Sequence, residues 1–128
     1  MKLKNILLIL VISVLFVECQ PSGLETVPTE IMGVWKTSAP NFEDGSFELT
    51  EDHIVFRNSG PPEYESVNSI IRIERVAEGQ DLLYTVHYRN PQGEKYLFTF
   101  YHYPTKGGTI RLKNQGGIEW RRVRSGVN

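Results

Sequence analysis

Apolar and polar residues alternate along most of this chain, and turn signals recur every 8 to 15 residues. A period of two puts successive side chains on opposite faces, which suits strands and not helices. No helical period of useful length follows residue 32. The rhythm predicts eight strands, at 33–39, 46–50, 53–57, 66–76, 81–89, 94–103, 109–113 and 117–123. It assigns an inner face to Trp35 and Thr37, Phe47 and Leu49, Ile54 and Phe56, Ile71 and Ile73, then Leu82, Tyr84, Val86 and Tyr88. Tyr96, Phe98 and Phe100, Ile110 and Leu112, and Ile118 and Trp120 complete it.

The turns test this assignment. A four-residue loop at 90–93 sets Tyr84 opposite Thr99 and throws Phe98 and Phe100 to the other face. A three-residue loop, Pro91-Gln92-Gly93, pairs Tyr84 with Phe100 and Val86 with Phe98. It is a type I turn with proline at its favoured second place and glycine at the left-handed position. A similar loop at Asn114-Gln115-Gly116 pairs Leu112 with Ile118 and Ile110 with Trp120. The turn at 50–53 joins Phe47 and Leu49 to Ile54 and Phe56 with matched parity. Hairpins between sequence neighbours predict an all-β fold, an eight-stranded antiparallel up-and-down barrel, because closure removes exposed edges. A two-sheet sandwich of the same strands is the alternative.

The start of the chain reads differently. Lys2 and Lys4 precede an apolar run from Ile6 to Val17, broken only by Ser13. The run is shorter than the roughly 20 residues that span a bilayer. A basic start, a short apolar core and a polar break make an export signal, with an uncleaved anchor as the alternative. Cys19 follows directly. It is either the lipid-modified first residue of a lipoprotein or the site after which a signal peptidase cuts. Glu18 before it and Phe16 three places before it depart from a lipobox. The expected layout is a signal segment at 1–19, a Pro/Gly/Ser-containing tether at 20–30 and the barrel at 31–125, placed in the cell envelope or secreted. A lone cysteine forms no internal disulfide, so stability must come from the core.

Beyond residue 19 the charge is nearly balanced but unevenly placed: residues 20–94 carry 5 basic and 13 acidic groups, residues 95–128 carry 7 and 1. Such a balance argues against dedicated nucleic-acid binding. In a closed meander, outward Lys36, Arg111, Lys113 and Arg121, with Arg124 just beyond, share one side. Glu43, Asp44, Glu48, Glu51 and Asp52 gather next door. The expected surface is a basic stripe beside an acidic patch, a possible contact for an anionic surface.

Two segments carry a family resemblance. Met32-Gly33-Val34-Trp35-Lys36 holds a Gly-x-Trp, and Ile118-Glu119-Trp120-Arg121-Arg122-Val123 ends the last strand with arginines. With Gly45-Ser46-Phe47-Glu48-Leu49-Thr50-Glu51-Asp52 between them, the chain over 31–124 resembles the small bacterial lipocalin-like barrels. The resemblance implies structural roles for Gly33, Trp35 and a late arginine stacked on that tryptophan. Arg122 shares parity with Ile118 and Trp120, so it is the better placed of the two arginines. The resemblance also implies a small hydrophobic ligand inside the barrel. Between the late strands Tyr103-Pro104-Thr105-Lys106 stands where larger lipocalins have a Thr-Asp-Tyr-like motif.

Tyr84, Tyr88, Tyr96, Phe98, Phe100 and His102 lie on one face of the strands at 81–89 and 94–103 and are the candidate ligand residues. Tyrosine joins an apolar body to one hydroxyl, which suits an amphipathic ligand. A small eight-stranded barrel can equally be filled by its own side chains. The protein is then a scaffold for envelope protein contacts. Catalytic patterns are missing: His53, His87 and His102 sit on separate elements, no serine lies in a Gly-x-Ser-x-Gly turn, and Gly107-Gly108 and Gly116-Gly117 lack a phosphate-loop helix. No enzyme activity, cofactor or metal is expected.

Overall fold

The computed structural model describes residues 22–24, 26–105 and 108–123 of the chain. The expected signal segment, Cys19 and Arg124 lie outside the described residues. The elements run β1 (Ser22–Leu24), a 3-10 turn (Thr29–Ile31), β2 (Gly33–Lys36), β3 (Gly45–Leu49), β4 (His53–Asn58), β5 (Tyr64–Glu78), β6 (Asp81–Arg89), β7 (Lys95–Tyr103), β8 (Thr109–Leu112) and β9 (Gln115–Arg122). Strands β2 to β9 each pair antiparallel with their sequence neighbours, and β9 returns to β2. The result is a closed eight-stranded up-and-down barrel, so no β-sandwich forms.

Turn chemistry sets the register. At 90–93 the Gly93 amide donates to the Asn90 carbonyl at 2.9 Å, the Asn90 amide to the Glu94 carbonyl at 2.9 Å, and Gly93 has φ 86°. Tyr84 therefore faces Phe100 and Val86 faces Phe98. At 50–53 the Thr50 amide donates to the His53 carbonyl at 2.9 Å, and Phe47 pairs with Phe56 and Leu49 with Ile54.

Three expectations are corrected. Ile110 does face Trp120, but Leu112 pairs with Gln115, not Ile118. The connection is the shorter Lys113-Asn114 turn, and a register shift between Ile110 and Leu112 absorbs the difference. On β5, Ile70 pairs with Tyr88 and Arg72 with His87, so a bulge leaves Ile71 as an extra residue. A bulge flips parity. Ile70 and Ile73 therefore turn inward, while Ile71 is 43% exposed. The described part of the expected tether is not free either: β1 pairs with β5 at residues 73–75, and Val27 is buried in the core beside Ile31. Beyond the end of β4, β5 has a vacant edge, which β1 takes; the barrel's open end offers apolar area, which Val27 and Ile31 cover.

The core is one cluster: Val27, Ile31, Trp35, Phe47, Leu49, Ile54, Ile73, Tyr84, Val86, Phe100, Ile110 and Trp120. It fills the barrel, with Val27 and Ile31 closing one end. Asn68 is the buried polar exception on β5, and its side-chain amide donates to the Ile54 carbonyl at 3.2 Å.

Candidate functional site

The barrel floor is built on Trp35. Its indole N–H donates to the Ile31 carbonyl at 3.0 Å, its ring lies 6.4 Å from Phe47, and the Arg122 guanidinium sits 5.0 Å over it. A cation over a partly desolvated indole is worth about 0.5–2 kcal/mol. Arg122 also donates to the Glu30 carbonyl, tying β9 to the 3-10 turn. Gly33 has φ 119°, and a Cβ there would lie 3.3 Å from the Arg122 side chain. Both the backbone and the stacked arginine demand glycine. Gly33→Ala is expected to cost about 1–3 kcal/mol through strain and displacement of Arg122, read as a lowered thermal midpoint.

The candidate ligand residues divide. Tyr84 and Phe100 are fully buried and stacked at 5.5 Å, and His102 packs edge-on to Tyr84 and Trp35 at 6.2 Å each. The Tyr84 hydroxyl donates to the Glu30 carboxylate. Burial, helped by Glu30, pushes its pKa up to about 12. At the opposite end Tyr88 is half-buried and stacks at 5.7 Å on Tyr96, which is largely exposed and donates to Glu94 at 3.3 Å. Phe98 lies between these groups. The six residues therefore do not converge on one pocket: Tyr84, Phe100 and His102 belong to the floor, Tyr88 and Tyr96 to the mouth.

Rings from opposite walls meet in between. Phe98 of β7 lies 5.1 Å from Phe47 of β3 and 5.4 Å from Phe56 of β4, and Phe47 lies 5.3 Å from Trp120 of β9. Contacts of this kind across the axis leave the middle of the barrel to protein side chains. A hollow of about 620 Å³ on the outer wall is lined by Lys36, Asp44, Arg57 and Tyr64, and another of about 430 Å³ at the edge of β7 by outward Leu97, by inward Phe98 and Leu112 and by Lys113.

His102 is buried and titratable like Tyr84. Burial is the main cause that lowers its pKa; Arg122 adds to it and Glu30 opposes it. Among the described residues its Nδ1 has no hydrogen-bond partner. A lowered folded pKa means that the unfolded chain binds the proton first. Stability is then full above the unfolded value near 6.5 and is lost as pH falls from there through the folded pKa. The loss is at most about 1.4 kcal/mol per pH unit. The thermal midpoint is expected to drop on acidification below about pH 6.5, and His102→Phe to flatten that part of the profile.

The expected basic stripe is interrupted. Glu119 on β9 pairs with Arg121 at 2.6 Å and with Arg111 at 3.3 Å. On the acidic side Glu48 is held by Arg57 at 2.8 Å. Among the described residues no three His, Cys, Asp or Glu side chains cluster as metal ligands.

No family model, no curated protein and no solved structure matches the chain.

Sequence reasoning missed three contributors, Glu30, Val27 and Ile31. Their stretch has the composition of a linker, and no local pattern marks a residue whose partners, such as Tyr84 and Arg122, are more than 50 positions away.

Proposed function

We propose that this protein is a protein-interaction module of the cell envelope, a filled, lipocalin-like barrel that works through its outer surface. The observation that carries the reading is the meeting of Phe47, Phe56 and Phe98 across the barrel axis. Tyr84, Phe100 and His102, needed for an interior ligand site, are spent on packing the floor. Gly33, Trp35 and Arg122 support the lipocalin-like assignment, since they take the floor arrangement that family implies. The envelope location rests on the basic and apolar start of the chain, with Cys19 as its candidate lipid anchor. A fold of this kind does not dictate one function, so the reading rests on the packing and on the outer face.

Two measurements test it. A fluorescent fatty-acid analogue is expected to show no saturable binding to the full chain; saturable binding that is lost on Phe98→Trp overturns the filled-barrel reading. Photo-cross-linking groups placed in producing cells at outward Val67, Ile71 or Leu97 are expected to capture protein. The same group at inward Tyr88 is not. Equal capture at Tyr88 contradicts an outer contact surface.

A further inference from the structure

The barrel wall is not of even height. β7 runs over Lys95–Tyr103, but its pairing with β8 begins only at Phe100. Among the described residues, 95–98 pair with β6 on one side and with no strand on the other. The ladder alternation says which backbone groups that leaves free. Asn90 bonds Glu94, so the hydrogen-bonded pairs with β6 recur at Tyr96 and Phe98. Lys95, Leu97 and Thr99 therefore direct their N–H and C=O groups away from β6. Thr99 bears this out, since its carbonyl accepts from the Lys113 amide at 3.1 Å on the far side. Among the described residues Lys95 and Leu97 have no strand to receive theirs.

This free edge opens into the hollow of about 430 Å³ lined by Leu97, Phe98, Thr99, Leu112, Lys113 and neighbours. Leu97 is 64% exposed on the outer face, the most exposed of the large apolar residues among those described. Lys95 stands directly opposite Arg89 on that same face, a like-charge pair that destabilises a ladder. Among the described residues Lys95, Arg89 and Lys113 take part in no ion pair. The neighbouring Glu94 carboxylate is engaged by Asn90 and Tyr96.

We infer that the free edge of β7, residues 95–98, accepts an extended acidic peptide segment of a partner protein by strand addition. This rests on the interaction-module reading and names its docking edge. The backbone of the added strand bonds Lys95 and Leu97, as in other sheet-edge recognition. Apolar side chains at its centre cover Leu97 on the outer face and Phe98 and Leu112 on the inner one. Acidic side chains at its ends meet Lys95 with Arg89 at one end and Lys113 at the other. A second copy of this chain fits less well, because it brings its own Lys95 and Lys113 to the same edge.

The probe is a capped heptapeptide, Glu-Glu-Val-Val-Val-Glu-Glu, titrated into the full chain labelled with nitrogen-15. Saturable shifts are expected at the Lys95 and Leu97 amides, together with slowed exchange of both. The same peptide with lysine for glutamate is expected to bind at least tenfold more weakly. Leu97→Pro removes only the outward N–H and keeps the bonds to β6, a position at which edge strands accept proline. It is expected to weaken binding at least tenfold while the fold persists. Should that variant fail to fold, Lys95→Glu with Lys113→Glu gives the same readout through charge. The inference is overturned by peptide shifts that avoid residues 95–98, by equal binding of the acidic and basic peptides, or by a concentration-dependent dimer that pairs through this edge instead. An edge that stays silent while the interior excludes the fatty-acid analogue sinks this inference alone; an interior that binds the analogue sinks the module reading.

Discussion

Trp35→Ala is expected to remove about 3–5 kcal/mol of stability, seen as a fall of more than about 10 °C in the thermal midpoint of a domain this size. The size follows from what one ring does. Trp35 is fully buried, packs against Phe47 and His102, carries Arg122 above it and donates to Ile31. Its loss opens the floor, frees the 3-10 turn and leaves the Ile31 carbonyl without its donor. Trp35→Phe keeps most of the volume and loses only the N–H and part of the cation–π attraction, so it is expected to lie well under half of the alanine cost. Chemical denaturation of both variants separates the two. Equal costs contradict a role that depends on filling the floor.

Phe47→Ala is expected to be nearly as damaging, about 3–5 kcal/mol, and it has a second consequence. Phe47 touches Trp35, Phe98 and Trp120, so it bridges floor, far wall and closing strand. Removing it leaves an apolar void in the middle of the barrel. Voids of that kind stay dry and take up small apolar molecules. The variant is therefore expected to bind benzene and to be raised in thermal midpoint by it, while the parent protein shows neither. A parent protein stabilised by benzene as much as the variant is evidence of a void already present.

Much of the architecture was legible because local chemistry decided it. Pro91-Gln92-Gly93 admits one loop length consistent with burial, and that length fixed Tyr84 against Phe100. The turn at 50–53 did the same for Phe47 and Phe56. The bulge on β5 also left a trace: Ile70, Ile71 and Ile73 cannot all take one parity, and the extra residue is the one expelled. The free edge of β7 was not expected, although the strands at 94–103 and 109–113 differ in length, because closure was expected to remove every edge. What stayed hidden depends on distant partners. Val27 and Ile31 are buried only because a barrel end lies there to be covered, and Glu119 reaches Arg111 only because β8 and β9 pair. The candidate site suffered most. Tyr84 to His102 share a face, but sharing a face does not say whether the space before them is empty. Phe47 and Phe56, from the other wall, occupy it.

That occupancy can be measured directly. The full chain, labelled at its methyl groups, is placed under xenon pressure, because xenon enters apolar voids. The methyl signals of Leu49, Ile54, Val86 and Ile110 inside the barrel are predicted to show no saturable xenon shift. Saturable shifts at those methyls contradict a barrel filled by its own side chains.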